Sequence, residues 1–245
     1  MPPPTDSKTP RSCWLRARQP AQKAERRDAI LETAAAMFDE VGYETISLNG
    51  IGRRVGLAKS NIYRYFQSKE GIFLALLQDG HDRWLGDAVG RLVALPSPTT
   101  PERVGRTLAD SLAAAPRLCA LASIVSSVLE HNVDAERIAQ HKTAYVAGAM
   151  RLAMALGVAL PTLDPGLHPG RAFRFLKQAY ALVTGLWPAA HPPPAAAEVL
   201  RRPAFAAMRV DFAEDLADGL TLVLRGLSLG DGAATAESPE PGRPS

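Results

Sequence analysis

The chain has 245 residues, of which 47% are apolar but only 6% aromatic, and 28 Lys and Arg face 25 Asp and Glu. That length suits one or two domains with a large core, and abundant alanine with few aromatics favours close-packed helices over a β-sandwich. Cys13 and Cys119 are far apart with no C-x-x-C spacing, which argues against a disulfide framework or a zinc site and for a reducing compartment. The sequence shows neither a membrane-length apolar run nor a signal-peptide pattern, so a cytoplasmic protein without a membrane partner is expected.

The first segment is basic. From Lys8 to Arg27 it carries Lys8, Arg11, Arg16, Arg18, Lys23, Arg26 and Arg27 against one acid, Glu25. Its prolines and turn formers predict a disordered arm over residues 1–20, suited to following phosphates or a minor groove.

Residues 21–67 are predicted to form a DNA-binding domain, and the stretch Ser47 to Lys69 is its informative part. Leu48, Ile51 and Val55 recur on one helical face, Ser47 can cap that helix, and Gly56 can end it in a left-handed conformation. A second helix is expected from Lys59 to Phe66, with Ile62 and Phe66 inward and the small Gly52 allowing close approach of the pair. This spacing is helix-turn-helix geometry. It leaves Ser60 and Arg64 pointing outward, flanked by Asn61 and Tyr63, with Lys59 at the leading end. Arg suits guanine, Asn suits adenine, and Ser, Tyr and Lys suit phosphates, so double-stranded DNA is the expected partner.

Ala29 to Leu77 resembles the N-terminal domain of the tetracycline repressor family of bacterial regulators. The marks are Phe38, Gly42-Tyr43, Gly56-Leu57, Tyr63, Tyr65-Phe66 and Ser68-Lys69-Glu70. The resemblance implies an all-α protein, in which a three-helix DNA-binding domain is joined by a fourth helix to a larger helical ligand-binding and dimerisation domain. It implies a homodimer on a near-palindromic operator, released by a small-molecule effector. An effector-independent or activating protein is the alternative. Lys69 matches the family lysine that holds a phosphate. Asn49 and Gly50 depart from the charged or β-branched residues common there, so Ser47 and Asn49 are expected to contact DNA weakly from the first helix of the motif.

The regulatory domain is predicted over residues 68–227, ahead of a disordered tail at 228–245. Its linker helix starts at a Ser68 cap and runs to about Leu95, and Thr100-Pro101 restarts a helix after Pro96-Ser97-Pro98. Helices are expected at about 101–115, 117–131, 135–156, 168–187 and 208–227, with loops at 157–169 and 188–194. The 168–187 helix carries two apolar seams, and the last helix is apolar over a wide arc. A four-helix dimer interface is therefore expected, using Phe173, Tyr180, Leu182, Leu216, Leu220 and Val223. A mostly apolar effector is expected among Trp84, Ser123, Ser127, Glu130, Tyr145, Arg174 and Gln178. No nucleophile, metal or phosphate-binding motif points to an enzyme, a metal or a cofactor.

Overall fold

The computed structural model describes residues 11–161 and 169–229, and among them every regular element is helical. In order these are α1 (Arg11–Val41), α2 (Leu48–Val55), α3 (Lys59–Ile62), α4 (Lys69–Val93), α5 (Pro101–Ala113), α6 (Pro116–Ser123), α7 (Ala135–Ala159), α8 (Pro169–Ala190), α9 (Pro194–Leu200) and α10 (Phe212–Leu229). A π-helical turn, Val125–Leu129, follows α6, and a 3-10 turn, Pro203–Met208, follows α9. The expected tail after 229 and the centre of the 157–169 loop lie outside the described residues.

Two compact units divide the chain at Leu76/Leu77, inside α4. The expected boundary at 67/68 is therefore too early. Ile72, Phe73 and Leu76 on the first turns of α4 are buried in the first unit, where the Phe73 ring lies 5.7 Å from Phe38 and 5.1 Å from Tyr43. A second correction concerns the N-terminus. The α1 backbone is helical from Arg11 and passes through Pro20, where a disordered arm was expected up to residue 20. Arg, Leu, Ala and Gln around the proline are good helix formers and carry the helix through Pro20, although the proline removes one backbone hydrogen bond.

In the second unit α8 packs against α6, α7 and α10, and α10 also packs along α5. Phe175, in the first half of α8, is fully buried, as are Leu216, Leu220 and Leu224 on α10. The caps follow the sequence: Ser68 Oγ accepts from Gly71 N–H at 3.1 Å, Thr100 Oγ1 from Arg103 N–H at 3.3 Å, and Asp134 from Arg137 N–H at 2.9 Å. Two features were not expected. The segment after His191 adds α9 and the 3-10 turn, and the 117–131 helix breaks at Ile124.

Within this unit α5 and α10 approach closely. A Cβ placed on Gly105 would lie 2.5 Å from Thr221 Oγ1 and 3.0 Å from the Ala217 carbonyl. Gly105→Ala is therefore expected to lower stability by about 1–3 kcal/mol, because the backbone of α10 must move. Gly90, with nothing within 4 Å of its would-be Cβ, is the control: Gly90→Ala is expected to raise stability by about 0.5–1 kcal/mol. Urea midpoints of the two variants check both signs.

Candidate functional site

The first unit holds two helices at a turn set by glycine. Ser47 caps α2 by accepting the Gly50 N–H at 3.0 Å. Gly56 ends it with φ +74°, and the Leu57 N–H returns to the Gly52 carbonyl at 2.9 Å. The approach is close at Gly52: a Cβ there would meet Ile62 Cδ1 at 2.9 Å and the Leu57 carbonyl at 3.0 Å. Ile51, Ile62 and Phe66 are buried beneath this crossing.

The recognition segment is shorter as a regular helix than expected. It is α-helical only from Lys59 to Ile62 and continues to Phe66 as tighter turns, with Tyr65 N–H to Ile62 C=O at 2.8 Å and Phe66 N–H to the same carbonyl at 3.0 Å. The inward anchors stay as predicted, and so do the outward side chains. Ser60, Tyr63 and Arg64 are exposed and Asn61 is half-buried. Ser47 and Asn49 are exposed on α2. The Lys59 side chain lies outside the described residues.

In the protein alone Lys69 is held within the unit. Its Nζ donates to the Tyr43 carbonyl at 3.2 Å and lies 3.8 Å from the centre of the Tyr43 ring. The Tyr43 hydroxyl in turn donates to Glu70 Oε1 at 3.1 Å, and burial together with the Glu70 charge raises the phenol above its ordinary range. The sequence marks Tyr43, Lys69 and Glu70 individually, but only the fold shows that they are one latch between the end of α1 and the start of α4. On the outer side Arg54 makes a paired hydrogen bond to Glu40 of α1, and Arg27 lies over the Phe66 ring at 5.5 Å.

Residues 30–76 match the family model of bacterial regulatory proteins, tetR family, and residues 78–230 match the tetracyclin repressor-like C-terminal domain. The chain belongs to the tetracycline-repressor family of bacterial transcriptional regulators. The transcriptional repressor KstR2 of Mycolicibacterium smegmatis is 36% identical over 66 residues, 27% of this chain and 32% of that protein. The regulator RutR of Escherichia coli is 35% identical over 60 residues, 24% of this chain and 28% of RutR. The matches to these relatives thus span about a third of their length. The crystal structure of Thermus thermophilus FadR in complex with lauroyl-CoA has the same fold, with a TM-score of 0.55, 19% identity and coverage of 89% of this chain and all of that one. In the described part of this family member no helix is long and apolar enough to cross a membrane.

The expected effector residues of this regulator separate into two groups. Trp84 and Tyr145 lie together: the His81 ring of α4 stacks on Tyr145 at 4.9 Å and is 6.0 Å from Trp84, whose indole N–H donates to Ser111 Oγ at 3.0 Å. Glu130 is held nearby by Lys142 at 2.7 Å, and its charge is felt by Tyr180 and His141. The others turn away. Ser123 donates to the Cys119 carbonyl of its own helix at 2.8 Å, Ser127 is exposed, and Arg174 and Gln178 sit on the exposed face of α8. The helical step explains the misplacement, since Ala172, Phe175, Leu176 and Val183 claim the inner face of α8 and leave 174 and 178 outside. A solvent-open groove between α5 and α10 is no better candidate, because two of its arginines already pair, Arg106 with Glu214 and Arg225 with Glu102.

The expected interface residues also divide. Leu216 and Leu220 are 0% exposed within one chain and so belong to its own core, not to a partner. Tyr180 reaches inward, its hydroxyl donating to the Ala122 carbonyl at 3.4 Å. Phe173, Leu182 and Val223 are half-buried. Beside Leu182, α8 exposes Ala181, Gly185 and Ala189, while α10 exposes Gly226 and Leu222, the last at 68%. The two faces adjoin, because a Cβ on Gly219 of α10 would lie 3.1 Å from Leu182. A second apolar row, Val146, Met150, Met154 and Val158, is exposed on α7.

Sequence reasoning missed Gln78, His81 and His141. Their signal was weak: three polar residues on otherwise apolar helix faces. Burial pushes His81, 9% exposed, down to about 4 from 6.5, and lowers His141 in the same direction. The unfolded chain therefore binds a proton below about pH 6.5 that folded His81 refuses until about pH 4. Stability from this site is full above that window and falls as pH drops through it. Between about pH 7.5 and pH 5 the loss is expected to be about 2 kcal/mol, and His81→Phe should remove that portion of the pH dependence. Denaturant titrations of both proteins at the two pH values check this, and equal pH slopes contradict a buried neutral His81.

Proposed function

We propose that the protein is a homodimeric repressor whose two recognition segments read the half-sites of a near-palindromic operator and which a small molecule releases. The observation that carries the DNA-reading part is the row Ser60, Asn61, Tyr63 and Arg64, presented outward by a segment whose inner side is anchored at Gly52, Ile62 and Phe66. An outward Arg and Asn on a rigid segment are suited to base edges, and the hydroxyls to phosphates. Lys69 reaches a phosphate in this reading only by exchanging its contact with the Tyr43 carbonyl. Arg64→Ala is expected to cost about 1–3 kcal/mol and to relax preference at one base pair of each half-site, while Lys69→Ala weakens all sequences alike. Titration against an operator library separates the two, and an unchanged preference profile in Arg64→Ala removes the recognition role.

The dimer is proposed on the outer faces of α8 and α10. Small residues at Ala181, Gly185 and Gly226 let helices of two copies approach closely, and Leu182, Leu222 and Val223 supply apolar area around them. Leu222→Glu places a charge there without touching the protomer core. It is expected to give folded monomers in sedimentation and to abolish operator binding. A dimeric Leu222→Glu beside a monomeric Met154→Glu moves the interface to the exposed row of α7.

Release by an effector is supported by the lauroyl-CoA complex of Thermus thermophilus FadR, whose fold this chain shares, and by the polar cluster around His81. The coupling element is α4, one continuous helix that carries both Lys69 and His81. Operator titrations with and without extract of the native host test this half of the reading. Identical affinity in both favours the effector-independent alternative.

A further inference from the structure

Between α8 and α10, residues 191–211 form an arm in which no residue is buried, and α9 packs mainly on the 3-10 turn beside it. The arm is nevertheless fixed in shape. At its base the His191 ring stacks on Trp187 at 3.9 Å, and the Trp187 ring meets Phe212 edge-on at 4.9 Å. In its middle Arg209 closes the end of α9, with Nε donating to the Leu200 carbonyl and Nη2 to the Arg201 carbonyl, both at 2.8 Å. Pro192, Pro193, Pro194 and Pro203 stiffen it further.

Its apolar side chains face outward. Val199 is 38% exposed and Met208 65%. A cleft of about 410 Å³ lies between the arm and the end of α8, lined by Ala189, Ala190, Leu200 and Val210 together with Arg201 and Arg209. Both arginines already have partners, Arg209 as above and Arg201 in Glu198 at 3.2 Å, so the cleft offers apolar walls and no uncompensated charge. Ala189 also belongs to the exposed row Ala181, Gly185 and Ala189 of α8. The cleft therefore continues the outer face of that helix.

Area decides what covers the arm. The outer strips of α8 and α10 are roughly 10 Å wide over helices of 22 and 18 residues, which gives on the order of 600 Å² per protomer, whereas a standard interface takes about 800 Å² from each partner and a permanent homodimer about 1,000 Å² or more. Much of the strip is Gly and Ala, which allow close approach but supply little side-chain area. The arm carries the missing apolar area, and because it is already held in one conformation, covering it costs little entropy. We propose that the arm is part of the dimer contact: the partner protomer covers Val199 and Met208 and closes the cleft beside Ala189. This contact rests on the homodimer reading above and extends it beyond the outer faces of α8 and α10.

Val199→Glu, Met208→Glu and the double variant test it in the full chain. Each places a charge on a side chain that the protomer itself leaves exposed, so circular dichroism is expected to match the parent's. In a dilution series followed by fluorescence-detected sedimentation, the double variant is expected to raise the dimer dissociation constant at least tenfold, about 1.4 kcal/mol. Where the parent does not dissociate in the series, exchange of labelled subunits gives the same comparison, since interface changes act mainly on the dissociation rate. If the double variant does not fold, the single ones decide. Leu222→Glu, run alongside, separates the arm from the rest of the interface. An unchanged constant and exchange rate in a folded arm variant, beside a monomeric Leu222→Glu, overturns the arm contact and keeps the α8–α10 dimer. A weakened arm variant beside a dimeric Leu222→Glu keeps the arm contact and moves the rest of the interface. A parent that is monomeric at every concentration overturns both.

Discussion

One helix has to satisfy two cores. The first turns of α4 place Ile72, Phe73 and Leu76 among the residues of the DNA-binding unit, and the later turns place Leu77, Leu85, Ala88 and Leu92 in the regulatory unit. Because every residue of an α-helix is fixed to its neighbours at about 100° per step, the two apolar rows cannot be adjusted independently. The start of the helix is therefore pinned. Ser68 caps it, and Lys69 and Glu70 grip Tyr43 through its carbonyl, ring and hydroxyl.

The two units use polar groups in opposite ways. In the DNA-binding unit the inner side is apolar and tightly closed at Gly52 and Ile62, and the side chains with hydrogen-bonding capacity, Ser60, Tyr63 and Arg64, face solvent. Among the described residues of that unit no buried side-chain polar atom is left without a hydrogen-bond partner. In the regulatory unit Gln78, His81 and His141 keep polar atoms inside, where burial holds the imidazoles neutral. The outward polar row of the first unit and the buried polar groups of the second are thus different placements of the same kinds of side chain.

The interface proposed on α8 and α10 follows from what the protomer leaves over. Once Phe175, Leu176 and Val183 have turned inward on α8, and Leu216, Leu220 and Leu224 on α10, the remaining apolar positions are small residues with Leu182, Leu222 and Val223 among them. Such a surface buries little within one chain and packs well against a copy of itself.

What was legible from sequence was local. Ser47, Gly56, Ser68 and Thr100 announce helix ends because a cap or a positive φ is satisfied within a few residues, and the spacing of Leu48, Ile51, Ile62 and Phe66 decides which side of each short helix is inside. Those short-range rules were enough for the helix-turn-helix, its outward row and the all-helical class. They were not enough where a helix is apolar on two sides. For α8 and α10 the choice of inner face depends on α5, α6 and α7, so Leu216 and Leu220 went to the core, and Arg174 and Gln178 to the surface, against the sequence expectation. The α4 boundary, the break at Ile124 and the stacking of His81 on Tyr145 were likewise decided by tertiary packing. Each depends on contacts between residues tens of positions apart, and periodicity along one helix carries no information about which row of another it will meet.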